Sequence, residues 1–183
     1  MTNISALLTG CKKEDARSQR VLFDLFKGRI MGLCRRYTRD REEAKDVMQE
    51  SFVRIFRNIN QLEDPEKLDA WLITIAVNTA INHYHRNKKH RVVSRVNHAS
   101  EQIPDDAVSM LTDELLIGVI NTLPDRCRLV FNMFSIEGYS HAEISAALRI
   151  TEGTSRSQLN YARELLKEKL KCLNMAHYYE KFA

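Results

Sequence analysis

Ala44, Val47, Met48, Ser51, Phe52, Ile55, Phe56 and Ile59 recur at spacings of three and four residues. At 3.6 residues per turn these positions share one side of a helix, whereas a strand would scatter them over both faces of a sheet. The same periodicity dominates most of the chain. Six glycines and three prolines leave little material for the turns of a many-stranded fold, and abundant Leu, Ala, Arg, Lys and Glu favour helices. The fold class is therefore all-α. A length of 183 residues has room for one or two small domains.

Local signals mark where helices begin and end. A first helix is expected from about Ser18 to Tyr37. Asp40 with Glu43 makes a capping-box-like start for the next. Asp64-Pro65 starts a third, with Asp as N-cap and Pro at the first helical position. That helix runs through "EKLDAWLITIAVNTAINHYHR" and is apolar around most of its circumference, which predicts that most of it is buried. Composition then shifts: "RNKKHRVVSRVNH" (Arg86 to His98) holds five Lys/Arg and no acid, and "ASEQIPDDAVSM" (Ala99 to Met110) holds Glu101, Asp105 and Asp106 and no base. Pro104 and the lack of clear periodicity mark a linker. Beyond it, Leu111, Leu115, Leu116, Val119 and Ile120 form a stripe, and Pro124 opens a helix that turns Leu129, Val130, Met133 and Phe134 inward. Gly138 can end it in a left-handed conformation. Ser140 and Glu143 form a capping box, and Thr151 is the expected N-cap of a long last helix. The expected organisation is two small helical domains, 1–90 and 110–183, joined by a flexible linker over 91–109.

Several function classes are excluded or disfavoured. The four cysteines (Cys11, Cys34, Cys127, Cys172) lack the close pairing of a metal knuckle or redox motif, so reduced thiols in the cytoplasm are expected. "LLTGC" (Leu7 to Cys11) superficially resembles a lipoprotein processing site, but no cation precedes it and Ser5 and Thr9 break the apolar run. No segment approaches the ~20 apolar residues that span a bilayer. There is no Gly-rich phosphate loop, no nucleophile motif and no cofactor motif, so no enzyme is indicated. His83 and His85 are two apart and diverge on a helix, which makes them poor joint metal ligands; His141 and His177 stand alone. A formal net charge of +4 suits a polyanionic partner without establishing one.

"LRITEGTSRSQLNYARELL" (Leu148 to Leu166) supplies a sharper lead. Two helices joined by the short "RIT" connection have the proportions of a helix-turn-helix. In the last helix Leu159, Ala162, Leu166 and Leu170 share one face; Thr154, Ser157 and Tyr161 point away from it, with Arg156, Gln158 and Asn160 on its flanks. Ser, Gln, Asn and Arg can read base edges in the major groove, and a helix N-terminus suits phosphate. A plain solvated face would look similar. The short capped helix in front of it favours DNA.

Over nearly its whole length the chain resembles the bacterial RNA polymerase sigma factors of the small extracytoplasmic-function group. "DREEAKDVMQESFVRIFRNINQLEDPEKLDAWLITIAVNTAINHYHRNKK" is similar to family region 2, and "LPDRCRLVFNMFSIEGYSHAEISAALRITEGTSRSQLNYARELLKEKL" to region 4. Both blocks, in this order around a short linker, make the resemblance specific. It implies core RNA polymerase and promoter DNA as partners, and an anti-sigma protein that holds the factor inactive.

The resemblance also implies roles for individual residues. Asp46, Gln49 and Glu50 of "DVMQESF" match positions that hold the clamp helices of the polymerase's large subunit, and their three- and four-residue spacing gives one polar patch. Asn78 and Asn82 continue a line through Trp71 and Ile75. With the loop from about Asn60 to Lys67, they match positions that hold an unstacked base of the minus-10 element. An amide can both donate to and accept from a flipped base. Buried asparagines bonding backbone would show the same spacing. The loop departs from the family, being acidic at Glu63, Asp64 and Glu66 where many members have Arg, Gly and Ser; negative charge repels phosphate. Arg86, Lys88 and Lys89 suit phosphate contact near the melted region, although cations also suit a helix C-terminus. In region 4, Arg156, Ser157, Asn160 and Tyr161 match minus-35 contacts, with Arg163 near the DNA backbone. Thr154 and Gln158 lie on the same surface. Gln158 and Tyr161 stand where many members are basic, and Arg149 stands where many have Gly.

The linker gains a task under this reading. The 24 residues from Asn87 to Met110 reach ~80 Å fully extended but average only ~25–30 Å as a coil. Two DNA elements several turns apart, at ~34 Å per turn, need the longer span and a partner that holds it open. A stand-alone helix-turn-helix regulator would account for Leu148 to Leu166 but not for the Asp46 patch or the Asn78 line. A protein-only helical adaptor would leave the basic run unused.

Overall fold

The computed structural model describes residues 4–91 and 113–172, with side chains described for 4–87 and 117–172. Residues 92–109 of the expected linker, Leu111 and His177 lie outside the described residues, as do the side chains of Leu115 and Leu116. The chain divides into two compact units, 1–89 and 90–183. Among the described residues every regular element is helical.

The first unit contains α1 (Ile4–Lys12), α2 (Ala16–Tyr37), α3 (Arg41–Asn58) and α4 (Leu68–Arg91). Single 3-10 turns at Ile59–Gln61 and Pro65–Lys67 join α3 to α4. The α3 stripe lands as its spacing requires: Ala44, Val47, Ser51, Phe52, Ile55 and Ile59 are buried. The Phe23 ring of α2 meets Phe52 at 4.7 Å between centroids. Asp40 caps α3 by accepting from the Glu43 N–H at 2.8 Å, while the Glu43 carboxylate reaches back to the Arg39 N–H rather than to Asp40. A fully buried aliphatic side chain contributes about 1.5–3 kcal/mol, so this seam fixes the unit. Truncating Ile55 to Ala would cost about 2–5 kcal/mol.

Helix α1 is absent from the sequence expectation, which begins helical structure near Ser18. Nine residues containing Ser5, Thr9 and Gly10 form a helix only with tertiary support. That support is the burial of Leu7, Leu8 and Cys11. The turn into α2 is a Schellman motif: the Glu14 N–H donates to the Cys11 carbonyl, the Asp15 N–H donates to the Gly10 carbonyl, and Glu14 takes the left-handed conformation at φ 59°. Gly10 is required by close approach, since a Cβ there would lie 2.1 Å from Ser18 Oγ. Cys11 is thus a core residue of a helical pair, and its thiol is pushed up by burial and by Asp15.

Helix α4 corrects a second expectation. Leu68, Leu72, Ala76, Val77, Ala80 and Ile81 are buried, but Asp69, Ala70, Thr74, Asn78 and Asn82 are exposed. The outward line is kept clear of the core although α4 is apolar around most of its circumference.

The second unit contains α5 (Asp113–Asn121), α6 (Asp125–Phe131), α7 (His141–Leu148) and α8 (Glu152–Cys172). A π-helical turn at Asn132–Ile136 follows α6, and Gly138 ends it at φ 78°. The core comprises Val119, Ile120, Leu123, Leu129, Val130, Phe131, Met133, Ile144, Leu148, Leu159, Ala162, Leu166 and Leu170. Both halves of the capping box form: the Glu143 N–H donates to Ser140 Oγ at 3.2 Å, and the Ser140 N–H donates to Glu143 Oε2 at 2.8 Å. The hydroxyl and backbone N–H of Ser140 hold the Glu143 carboxyl below its ordinary value. Thr151 caps α8 by accepting from the Thr154 N–H at 3.1 Å. Arg149 closes α7 in the left-handed conformation, φ 54° and ψ 53°.

Cys11, Cys34 and Cys127 are buried free thiols and Cys172 is an exposed one. Burial pushes Cys34 up to about 12. No helix of the described residues is long and apolar enough to cross a membrane. Among them, no group of three or more His, Cys, Asp or Glu is placed to hold a metal ion.

Two substitutions test these local arguments. Gly10→Ala forces α1 away from Ser18 and should destabilise the first unit by about 1–3 kcal/mol. Trp71 is the sole tryptophan of the chain, so the urea midpoint of its fluorescence reads this directly; an unchanged midpoint contradicts the close approach. Arg149→Gly removes the left-handed penalty of about 1–2 kcal/mol but adds chain entropy in the unfolded state. The second unit should gain about 0.5–1 kcal/mol, read as a higher midpoint of circular dichroism with the Trp71 transition unmoved.

Candidate nucleic-acid and partner surfaces

On α3, Asp46 and Gln49 are exposed on the side opposite the buried stripe. Glu50 is half-buried and already engaged. Its Oε1 accepts from Arg54 at 2.6 Å, and both its oxygens accept from Arg86 of α4, at 3.1 Å and 2.5 Å. The bidentate guanidinium holds the Glu50 carboxyl below the ordinary range, and Glu50 in turn raises Arg86. Of the three residues expected on the patch, two stand free in solvent and one is a joint between helices.

On α4, Trp71 and Ile75 are half-buried and Asn78 and Asn82 exposed, in one line along the helix. The asparagines are not the buried backbone-bonding pair that the same spacing allowed. Among the described residues, neither side-chain amide is taken up by a hydrogen bond. Arg86 continues the line one turn further and ends it on Glu50, so the α3 patch and the asparagine line meet at this ion pair. Arg86, expected on phosphate, is therefore occupied within the unit. The side chains of Lys88 and Lys89 lie outside the described residues; their backbone belongs to α4.

The loop before α4 is anchored by Leu62 and Leu68, both buried, while Asn60, Gln61, Glu63, Glu66 and Lys67 face solvent. Asp64 caps the second turn by accepting from the Glu66 N–H at 3.0 Å and pairs with Lys67 at 3.6 Å. The Leu62 carbonyl accepts from Lys12 Nζ of α1 at 2.6 Å.

On α8, Ser157, Asn160 and Tyr161 face outward, and Tyr161 is 55% exposed. Thr154 is half-buried, its hydroxyl 2.9 Å from that of Thr151, and Ser157 donates back to the Thr154 carbonyl. Arg156 is exposed but paired with Glu152 at 2.8 Å. Glu152 occupies the first turn, where it competes with any phosphate for the positive end of the helix. Two flanking residues turn inward instead. Gln158 Oε1 accepts from the buried Cys127 thiol of α6 at 2.8 Å. The Arg163 guanidinium lies 6.0 Å from the centre of the Phe134 ring, with its Nε buried.

The elements that set the angle of α8 escaped the sequence reading. His141, which looked isolated, stacks on Phe134 at 4.5 Å between centroids, and its Nδ1 lies 2.9 Å from Ser155 Oγ. Ser155 is fully buried. A signal existed: Ser155 falls four residues before Leu159 on the apolar face, where a polar residue needs a partner. His83 and His85 also have local roles, His83 beside the Asn87 amide at 2.8 Å and His85 against the Tyr84 ring.

Comparison with known proteins gives these surfaces a context. Sigma-70 region 2 matches residues 22–90, and Sigma-70 region 4 matches residues 113–166. The ECF RNA polymerase sigma factor SigL of Mycobacterium tuberculosis is 30% identical over 166 residues, covering 88% of this chain and 94% of its own. SigW of Bacillus subtilis, also an ECF RNA polymerase sigma factor, is 29% identical over 175 residues, covering 88% and 94%. Among solved structures, the sigma factor RpoE of Bartonella quintana, in complex with the anti-sigma factor NepR, superposes with a TM-score of 0.56 at 21% identity, covering 83% of this chain and 96% of that one. At that identity the likeness speaks for the fold. With both region models matched in order and SigL 30% identical over most of both sequences, the chain belongs to the extracytoplasmic-function group of RNA polymerase sigma factors.

Proposed function

We propose that Asp46 and Gln49 dock core RNA polymerase, and that Asn78 and Asn82, backed by Trp71 and the loop over 59–67, capture an unstacked base of the downstream promoter element. Asn160, Tyr161, Ser157 and Arg156 read the upstream element, with Thr154 at its edge. Gln158 and Arg163 support the helix from inside rather than touching bases. Lys88 and Lys89 supply phosphate contact at the end of α4. The chain contributes binding and strand capture in the cytoplasm, and the polymerase contributes the catalysis. Sigma factors in the matched group are solved with anti-sigma proteins, which supports an inhibitory partner of that kind here.

One observation carries this reading: a single helix, α4, presents two free amides and, one turn further, a guanidinium locked to Glu50 of α3 beside the exposed Asp46 and Gln49. A protein that only bound duplex DNA through α8 would have no use for that arrangement. Purified chain added to core polymerase should form a stable complex and start transcription at a defined subset of a genomic promoter library. DNA binding without core association would favour the stand-alone regulator.

Asp46→Ala or Gln49→Ala should weaken core binding about five- to tenfold, as loss of a polar interface contact typically does, with circular dichroism unchanged; full affinity in both removes the patch from the interface. Asn78→Ala should impair promoter opening more than initial binding, read by permanganate reactivity against gel shift. Equal losses would make Asn78 a structural residue.

The Glu50–Arg86 pair is partly exposed, so Arg86→Met should cost only about 0.5–1 kcal/mol of stability at neutral pH. Because the folded Glu50 value is lowered, its contribution is complete above the ordinary carboxylate value of about 4.3 and disappears as pH falls through the lowered one. The stability gap between wild type and Arg86→Met should therefore be present at pH 7 and close as pH falls below the ordinary carboxylate value. A gap that persists in acid would show that the ion pair is not its source.

A further inference from the structure

We propose that Lys12 is a positioning residue for promoter opening, holding the loop over 59–67 in its base-facing conformation through the Leu62 carbonyl. The proposal rests on the reading that this loop and the Asn78/Asn82 line face an unstacked base.

Helix α1 has no task in the sequence reading, yet it is built as a rigid support. Gly10 lets it lie against Ser18 with no room for a Cβ. The Schellman turn through Glu14 fixes its exit, and Asp15 then caps α2 by accepting from the Ser18 N–H at 2.8 Å and its hydroxyl at 2.6 Å. Lys12 is the last residue of α1, and its ammonium reaches 50 positions along the chain to the Leu62 carbonyl at 2.6 Å. The site is partly buried, where a charged donor on a carbonyl is worth more than in water.

Beside the burial of Ile59, Leu62 and Leu68, the loop has one side-chain hydrogen bond from a distant element among the described residues, that of Lys12. Among the described residues, its remaining hydrogen bonds are local: Leu62 N–H to the Ile59 carbonyl at 3.2 Å, Gln61 to Asn58 at 3.1 Å, Glu66 N–H to Asp64 at 3.0 Å and Lys67 N–H to the Asp64 carbonyl at 3.1 Å. Glu63, Asp64 and Glu66 set the loop against nearby phosphates. A loop that cannot rely on phosphate contact to order it must be ordered beforehand, since each group fixed on binding subtracts from affinity. Lys12 supplies that order from outside the loop without adding positive charge to the exposed face.

The test uses the full chain assembled with core polymerase, on a promoter selected by the wild-type holoenzyme and carrying 2-aminopurine in its downstream element. Lys12→Met keeps the stem and removes the donor; Lys12→Arg restores a donor. Opening, read by 2-aminopurine fluorescence, should fall about five- to tenfold in Lys12→Met and recover at least half of that in Lys12→Arg. The penalty for changing the captured base should shrink in Lys12→Met, while core affinity and upstream-element binding stay at wild type. Loss of core affinity in step with opening, or base discrimination that is unchanged, would overturn the proposal and leave Lys12 a stabilising residue. If Lys12→Met is too unstable to assay, Lys12→Gln is read by the same criteria. Asn78→Ala run alongside separates the two ideas. Opening lost in Asn78→Ala but kept in Lys12→Met refutes the role of Lys12 alone. Opening kept in Asn78→Ala refutes the reading of the surface, and the role of Lys12 with it.

Discussion

A helix has one apolar face to bury, and in both units the helix that seals the core also carries exposed polar residues on its other side. In α3, Ala44, Val47, Phe52 and Ile55 are withdrawn from solvent while Asp46 and Gln49 face it. In α8, Leu159, Ala162, Leu166 and Leu170 do the first and Asn160 and Tyr161 the second. Residues of one helix therefore answer to different pressures: a change at Ile55 acts on folding by several kcal/mol, whereas a change at the exposed Gln49 leaves the core intact. This division keeps the exposed polar residues on helical backbone, which lowers the ordering cost of any contact they make.

The polar side chains around those surfaces are mostly satisfied before any partner arrives. Glu50 holds Arg86 and Arg54, Glu152 holds Arg156, Cys127 holds the Gln158 carbonyl oxygen, and Phe134 underlies Arg163. Each exposed pair is worth little by itself. The two ion pairs reduce the positive charge that Arg86 and Arg156 offer to phosphate, which lowers the number of phosphate contacts open to them and with it the salt dependence those contacts would bring. Under the proposed function, affinity comes from joining two weak sites on one polymerase, where the second binding event is intramolecular.

What could be read from the sequence followed periodicity and capping. The stripes of α3 and α8, the Asp40, Ser140 and Thr151 caps and the left-handed Gly138 are consequences of three- and four-residue spacing and of side chains that bond backbone N–H groups. The family resemblance also came from contiguous blocks. The parts that stayed hidden depend on contacts distant in the chain. Helix α1 needs the α2 surface to exist at all. The exposed line of α4 is invisible in a segment apolar around most of its turn, because which arc faces the core is set by α2 and α3. Gln158 and Arg163 sit on the flank of α8 where a helical wheel cannot distinguish a base contact from a brace, and the difference is made by Cys127 and Phe134. His141 was read as solitary because its partners, Phe134 and Ser155, lie seven and fourteen residues away.

Cys172 ends α8 as the one exposed thiol among the four cysteines, while the other three are buried and driven towards the protonated, unreactive form. At about 1.5 Å per residue it stands roughly 18 Å along the helix axis from Asn160. The chain thus carries a native attachment point for a single spectroscopic label, on the same helix as the exposed Asn160 and Tyr161 but well removed from them. Movement of that helix during assembly and promoter escape can be followed without introducing a cysteine.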